Sequence, residues 1–310
     1  MEIKNRAVER FKWFQPQPLQ VEDMKRYAFL LIVILLAGAM AGCLGGGGSG
    51  VTPSTTTESE GTAPTTTTTQ QTTTTPSQTA TETPAGPDVN ALLQEVSRIQ
   101  QFTYTSNASL EMLVTIEGNG TSQGDNVTLR ILERGYMDFE SWSAWINSTT
   151  VSLPDGARTN TSRIVVENVT YIQTIVGWVR TEDSDASDIL WRYSIVGLAR
   201  EYLREKPDSV ETGAVTKLIY RIPDYRLKPL ATVYFAASPD TVVYVKDGRL
   251  ELWFSDGRLI GGRLSFSVSS ETNVDDPTLG KMTIKQDGKW NETFEIDSIN
   301  EKRNVREPST

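Results

Sequence analysis

Histidine is absent from the 310 residues of this chain, and cysteine occurs once, at Cys43. A Ser-His-Asp triad, a Cys-His pair and an imidazole general base all need histidine, so the sequence excludes these catalytic devices. The same two counts exclude a thiolate or imidazole zinc site and a disulfide within the chain. Carboxylate-only catalysis, as in glycoside hydrolysis, stays open, but no acidic pair is singled out. We therefore predict no enzyme activity, no catalytic residues, no metal and no cofactor.

Positive charge is also scarce, because 30 basic residues stand against 39 acidic ones and the net charge is −9. Nucleic acid usually meets a basic face on its protein partner, and its phosphates would be repelled here. We therefore predict no nucleic-acid partner.

Charged residues are missing from residues 27–41, which are almost wholly apolar, with Lys25 and Arg26 before them. This order of basic, apolar and small residues is typical of a secretory signal, and the run is short for a bilayer span of about 20 residues. The Met-Ala-Gly-Cys sequence that ends at Cys43 resembles the lipobox of lipoproteins, in which cleavage leaves a lipid-bearing cysteine at the new N-terminus. We expect residues 1–42 to be a signal peptide region and Cys43 to be the lipid anchor. The alternative is a signal anchor with an incidental thiol.

Residues 1–23 carry mixed charges and two prolines, which is unlike the basic head of a signal. Because Met24 followed by Lys25 and Arg26 would itself make an ordinary start, we expect residues 1–23 to be an over-extended start. A cytoplasmic tail is the alternative.

Residues 43–87 begin with the anchor cysteine and contain no basic or aromatic side chain, and 17 of the 35 residues from 51 to 85 are Thr. Such a composition cannot build a core and predicts a disordered stalk with a glycine hinge and O-linked sugar. The stalk resembles the tethers of archaeal surface lipoproteins. That resemblance implies a cell-surface protein on the outer face of the cytoplasmic membrane.

Seven of the eleven asparagines after residue 87 lie in N-x-[ST] sequons, more than the Ser and Thr content would give by chance. We expect extracytoplasmic N-glycosylation; the alternative is that a β-rich surface favours Thr and Ser in any case. The seven are Asn107, Asn119, Asn126, Asn147, Asn160, Asn168 and Asn291.

Residues 88–310 form the predicted extracytoplasmic domain. Asp88 is placed to cap an amphipathic helix, and Leu110, Met112, Val114 and Ile116 then alternate with mostly polar residues as in a half-buried strand. Further strands are predicted around Val127 to Ile131 and around Ile164 and Val166. Asp-Gly pairs at 155–156, 247–248, 256–257 and 287–288 predict hairpin turns, and residues 241–270 a three-strand meander.

One helix is predicted from Asp188 to Lys206, apolar on nearly all sides in its first half. The acidic residues before it, Glu182, Asp183 and Asp185, are typical of a helix start, with a calcium site as the alternative. Strands are predicted to resume at 215–222 and 232–236. The expected fold class is α+β, a curved antiparallel half-barrel sheet covered by helices.

This order of elements resembles the LolA and LppX/LprG lipoprotein-localisation superfamily. The resemblance is carried by the opening helix, the strand pair of residues 169–179 before a mid-chain helix, the later meander, and the ending at 294–300 with Pro308 beyond. It implies an unclosed barrel whose concave apolar face holds acyl chains. If the mid-chain helix covers a lipid pocket, Trp191, Ile195 and Leu198 are expected to line it; the alternative is ordinary core packing.

Taken together, the sequence predicts a membrane-anchored lipoprotein that binds a lipid or other amphiphile in a concave apolar pocket. The alternative is a non-catalytic cell-envelope module that recognises a surface protein or a glycan. The oligomeric state is left open.

Overall fold

The computed structural model of the chain describes residues 86–308, apart from 119, 154, 168, 175–176, 182–183, 236–240 and 277–279. Its helices are α1 (Val89–Ser97), α2 (Ser184–Tyr193), α3 (Ile195–Tyr202) and α4 (Asp224–Phe235). Its strands are β1 (Gln101–Gly118), β2 (Thr121–Asp138), β3 (Ser143–Leu153), β4 (Arg158–Val166), β5 (Val169–Thr174), β6 (Gly177–Thr181), β7 (Ser209–Glu211), β8 (Thr216–Ile222), β9 (Val242–Ser255), β10 (Arg258–Asp276) and β11 (Gly280–Ile299). The predicted signal region, Cys43 and the stalk lie outside the described residues, as do Asn119 and Asn168.

All eleven strands belong to one antiparallel sheet with the order β6-β5-β4-β3-β2-β1-β11-β10-β9-β8-β7. The first strand lies in the middle of this order and pairs with both β2 and β11 along nearly its whole length. The sheet therefore consists of two meanders, β1–β6 and β7–β11, that join where the first strand meets the last.

The predicted α+β class is wrong. Strands account for 64% of the structure and helices for 17%, and the molecule is an open, curved antiparallel sheet without a covering layer of helices. The cause is strand length: β1, β2, β10 and β11 have 18 to 20 residues each, whereas the helices have 8 to 12. Among the described residues, no helix combines the length and apolar character that a bilayer crossing requires.

The opening helix is confirmed. The Asp88 carboxylate accepts hydrogen bonds from the backbone N–H groups of Asn90 and Ala91 at 3.0 and 3.2 Å, as an N-cap does. Leu92 and Val96 are buried one turn apart and attach the helix to the core.

The predicted helix from Asp188 to Lys206 is instead two helices that meet at Ser194. This residue has extended backbone angles, and its hydroxyl donates to the Trp191 carbonyl and accepts from the Gly197 N–H, which caps α3. A capped break changes the helix direction, so both helices can bury their apolar sides. In the acidic group before α2, residues 182–183 lie outside the described part. No three potential metal ligands come together within that part.

The strand predicted at 232–236 is also wrong, because residues 224–235 form α4. Leu227, Leu230, Ala231 and Phe235 are buried at helical spacing, and this periodicity outweighs the β-branched residues between them.

Only two of the four Asp-Gly pairs form hairpin turns. Asp256 and Gly257 both have positive φ between β9 and β10, and Gly156 turns between β3 and β4. Asp247 and Gly248 instead form a β-bulge inside β9, so the predicted three-strand meander is a two-strand hairpin. Asp287 and Gly288 lie within β11.

The alternation predicted for β1 is confirmed. Leu110, Met112 and Val114 are buried, and Glu111 and Leu113 between them are exposed. In β4 the alternation is the reverse of the expected one, since Val165 is buried while Ile164 and Val166 are half-buried.

Candidate functional site

The sheet has two chemically different faces. We call the face with the buried β1 side chains the inner face and the other the outer face. Cross-strand register assigns each position, because directly paired residues point to the same side. Around the middle of the sheet the inner face is apolar, with the buried side chains of Leu110, Leu129, Ile131, Leu250, Leu264, Phe266, Val268 and Trp290.

Two of the helices, α3 and α4, contact part of the inner face. Leu227 of α4 approaches Gly248, and Ile195 of α3 approaches Gly262, where a Cβ atom would lie 2.6 Å from the methyl group in each case. The ring of Tyr234 lies 4.9 Å from the ring of Trp290 in β11. Glycine at 248 and 262 therefore allows the close contact of helix and strand.

Ionisable side chains interrupt this apolar surface. We call the group formed by Tyr104, Ser106, Glu133, Arg163 and Glu292 the carboxyl cluster. Glu133 is paired with Ser106 across β1 and β2, and Glu292 is paired with Ala108 across β1 and β11. The two glutamates thus stand on either side of β1, in neighbouring rows of the inner face.

Hydrogen bonds orient the two carboxyl groups. The Tyr104 hydroxyl donates to Glu133 Oε1 at 2.7 Å, and Trp290 Nε1 donates to Glu292 Oε2 at 3.2 Å. The Ser106 side chain also bonds to Glu292. A Cβ atom on Gly135 would lie 2.5 Å from the Tyr104 ring, so glycine at 135 leaves the space in which this ring lies against β2.

Burial and mutual repulsion shift the titration of these groups. Burial, reinforced by the charge of Glu133, raises the pKa of Glu292 to about 8. Burial also raises the pKa of Glu133, and the Tyr104 hydrogen bond and Arg163 charge oppose that rise. Glu292 is therefore mostly protonated at neutral pH, and its carboxyl group can donate as well as accept a hydrogen bond.

A hydroxyl group adjoins the carboxyl cluster without a partner. Ser148 pairs with Glu133 across β2 and β3, so it points to the inner face, and only 6% of it is exposed. Its Oγ has no hydrogen-bond partner within the part of the chain that the structure describes. Within the carboxyl cluster, Glu133, Arg163 and Glu292 are partly exposed, whereas Tyr104 and Ser106 are buried.

The predicted lining residues Trp191, Ile195 and Leu198 are all buried in the main hydrophobic core. Trp191 makes an edge-to-face contact with Trp142, at 5.3 Å between ring centres. Leu198 lies beside Tyr202 and Leu227 at a narrow gap between the helices that has no room for a water molecule. Ligand pockets usually measure about 300–1,000 Å³, so this gap cannot hold a lipid. A role of the three residues in lining a lipid site stays a prediction.

The five described sequon asparagines all lie on the outer face and are exposed. The strand register places them there, because each pairs with outer-face residues: Asn107 with Thr293 and Leu132, and Asn126 with Leu113. In a strand, residues i and i+2 share a face, so the Ser or Thr of each sequon is on the outer face too. The five are Asn107, Asn126, Asn147, Asn160 and Asn291. Their glycosylation stays a prediction.

Sequence reasoning missed the carboxyl cluster. Nothing local distinguishes Glu133 or Glu292 from the other acidic residues of the strands. The one available signal was a polar residue at an apolar position of the alternation, as at Ser106 between Tyr104 and Ala108. It becomes informative only when the register of three strands is known.

No known protein family matches the chain, and no curated protein matches it. Among solved structures, LprF from Mycobacterium bovis is similar over 73% of this chain and 100% of its own, with 10% identity and a TM-score of 0.34. A LolA superfamily protein from Nitrosomonas europaea covers 71% of this chain and 94% of its own, with 8% identity and a TM-score of 0.20. A beta-barrel-like protein of a domain of unknown function from Brucella abortus covers 64% and 100%, with 9% identity and a TM-score of 0.20. Because all three TM-scores lie below 0.5, the ligand must be inferred from the side chains of this chain.

Proposed function

We propose that this protein is an extracytoplasmic lipoprotein, anchored through Cys43, whose inner face binds a lipid or other amphiphile without catalysing a reaction. The observation that carries the proposal is that a partly exposed group of ionisable side chains, the carboxyl cluster, interrupts an apolar inner face whose central side chains are buried. An amphiphile likewise has an apolar part and a polar part. Each methylene of its chain that leaves water contributes about 0.8 kcal/mol to the binding free energy. The polar end then needs hydrogen-bonding groups, which the carboxyl cluster supplies.

The asymmetry of the two faces supports this choice of surface. Asn107, Asn147 and Asn291 are exposed on the outer face, and sugar there would leave the inner face free. The stalk would hold the domain near the membrane, where amphiphiles are available.

Native mass spectrometry of the purified full chain in detergent, with analysis of its organic extract, tests the proposal. We expect about one equivalent of co-purifying lipid in the wild type. Ile116→Asp places a charge at a half-buried position of the inner face, and we expect it to lower the lipid content about tenfold or more.

Leu113→Asp is the matched control, because Leu113 lies on the same strand but on the outer face and is 43% exposed. It should keep the lipid. Both variants are first checked for a wild-type circular dichroism spectrum. A wild type without lipid, or an equal loss in the two variants, would contradict the proposal.

The alternative, an envelope interaction module, is favoured by one observation. Trp142, Tyr225 and Tyr244 expose 51%, 70% and 64% of their surface, and exposed aromatic side chains are common at binding surfaces. On this alternative the purified chain carries no lipid, and Tyr225→Ala or Tyr244→Ala lowers binding to isolated cell envelopes.

A further inference from the structure

We infer that the C-terminal tail, residues 301–308, is a clamp on the outer face that restrains one side of the sheet, and that its release lets an amphiphile enter and leave the inner face. The second half of this inference rests on the proposed function. We call β4, β5 and β6, which form that side of the sheet, the wing.

The tail begins at a fixed corner. Asn300 has a positive φ of 58°, which asparagine adopts more readily than most residues. Its side chain accepts hydrogen bonds from the N–H groups of Gln100 and Gln101, at 2.7 and 3.3 Å. It also donates one to the Arg98 carbonyl at 3.1 Å. These bonds fix the direction in which the chain leaves β11.

A row of outer-face residues marks the path of the tail. Strand register places four side chains next to one another, namely Tyr136 of β2, Trp145 of β3, Ile164 of β4 and Tyr171 of β5. At one end of the row, the Tyr136 hydroxyl accepts a hydrogen bond from the Arg303 N–H at 3.0 Å. At the other end, the Tyr171 hydroxyl donates one to the Glu307 side chain. The tail therefore crosses the strands from β2 to β5.

Burial on this row agrees with that path. Leu132 and Arg134 share the outer face of β2 with Tyr136, and both are exposed. Tyr136 and Tyr171, in contrast, expose 0% and 8% of their surface. The tail covers the two tyrosines that it contacts.

The length of the tail matches the width of the four strands. Three strand spacings give roughly 14 Å from the Tyr136 row position to that of Tyr171. The four residues from Arg303 to Glu307 reach about 13–14 Å when they are fully extended. Because this segment is close to full extension, it limits how far β2 and β5 can move apart on the outer face.

The wing has its other support on one side only. β6 ends the sheet, so the wing is held by strand pairing through β3 alone. The helices make their main strand contacts with β9 and β10, in the other half of the sheet. Ile146 of β3 and Ile172 of β5 are buried but lie outside the main hydrophobic core. The tail is thus an important restraint on the position of the wing.

An amphiphile needs a movement of the sheet to reach the inner face. The apolar side chains there are closely covered, and Leu110 and Ile131 are only 1% and 8% exposed. Protein interiors are close-packed, so an acyl chain enters only where two elements separate.

The contacts of the tail are suited to release. The ion pair of Lys302 and Glu140 has 67% and 62% of its two side chains exposed, and exposed pairs add little stability. Segments held by few, exposed contacts open locally more often than a core strand does. Detachment of the tail would free the wing while the rest of the sheet stays folded.

Hydrogen–deuterium exchange of the full chain in detergent tests the clamp. Ending the chain after Asn300 removes the tail and keeps the corner. We expect the amides of residues 158–181 to exchange about tenfold faster or more in this variant, and those of residues 242–299 to change less than about twofold.

A pyrene-labelled fatty acid tests the effect on the inner face. The probe is bound to the full chain in detergent, excess phosphatidylcholine vesicles are added, and the loss of energy transfer from tryptophan to pyrene gives the release rate. We expect release to be about tenfold faster without the tail.

A milder variant keeps the tail and removes its two anchoring hydroxyl groups. Tyr136→Phe combined with Tyr171→Phe should change both readouts in the same direction, by about threefold. Tyr244→Phe is the matched control, because Tyr244 is 64% exposed on the outer face of β9, in the other half of the sheet. It should match the wild type in both readouts.

The outcomes separate the two proposals. If the wild type binds no probe, the proposed function fails, and hydrogen exchange still decides whether the tail is a clamp. Unchanged exchange of residues 158–181 in the shortened chain, or an equal increase in all strands, overturns the clamp. Faster exchange of the wing with an unchanged release rate shows that the wing does not control the inner face, and it overturns the inference too.

Discussion

At the scale of single residues, Glu292 makes the fold sensitive to pH. Its pKa is about 8 in the folded protein, against an ordinary value of 4.5, so folding favours its protonated form. The stabilising contribution is complete below about pH 4.5 and is lost as the pH rises through about 8. We expect the wild type to lose on the order of 2 kcal/mol of unfolding free energy between pH 5.5 and 8.5 through this group.

The Glu292→Gln variant isolates this contribution. Gln cannot ionise, so the difference in unfolding free energy between variant and wild type should grow with pH in favour of the variant. Urea unfolding of the full chain at pH 5.5, 7 and 8.5 measures it. Glu295→Gln, on the exposed outer face of the same strand, should parallel the wild type at all three values. A parallel curve for Glu292→Gln would show that burial of this carboxyl group does not affect the stability.

Residue-scale features were the least predictable from the sequence. Asp88 was predictable as a cap because its partners, the N–H groups of Asn90 and Ala91, are two and three residues away. Glu133 and Glu292 belong to one cluster only because β2 and β11 both pair with β1. Propensity and periodicity describe neighbours in sequence and contain no information on such a distant meeting.

At the scale of the elements, the corner between α2 and α3 depends on Gly197. A Cβ atom there would overlap the carbonyl oxygen of Trp191 and lie 2.7 Å from that of Arg192. Because both oxygens are backbone atoms, they can move away only if the junction between α2 and α3 changes its conformation. We expect Gly197→Ala to lower the unfolding free energy by about 2 kcal/mol or more, measured by urea unfolding.

Gly213→Ala is the control for this prediction. A Cβ atom on Gly213 would have the Val215 carbonyl oxygen as its nearest neighbour, at 3.8 Å, which is an ordinary contact. Its unfolding free energy should stay within about 1 kcal/mol of the wild-type value. If Gly197→Ala is equally mild, the two helices do not depend on this corner.

Elements with a strong local signal were predictable, and those fixed by pairing were not. The alternation of β1 and the turn at Asp256-Gly257 followed from residues within a few positions. Asp247-Gly248 has the same residues as that turn but forms a bulge, because β9 continues alongside β10 and Gly248 admits Leu227 of α4. The α+β prediction failed for the same reason, since strand length depends on the partners that each strand finds.

At the scale of the whole molecule, the order of the strands creates one long sheet whose two faces differ in chemistry. β1 and β11 pair in the centre, so the two meanders extend one continuous inner face on both sides. The apolar surface and the carboxyl cluster share this face. The described sequons share the other, and among the described residues none points inward.

Because the described sequons and the carboxyl cluster lie on opposite faces, we predict that glycosylation and lipid binding are independent of each other. Glycopeptide mass spectrometry of the protein from its own host should find glycans on the outer-face asparagines Asn107, Asn126, Asn147, Asn160 and Asn291. Changing all five to Gln should leave the co-purified lipid within about twofold of the wild type, because these side chains point away from the inner face.

The cross-strand hydrogen bonds that Asn147 and Asn160 accept from Ser162 and Thr149 are exposed, so their loss should cost little stability. Lipid loss in the five-site variant would mean that the outer face takes part in binding and that the two faces are not divided by function.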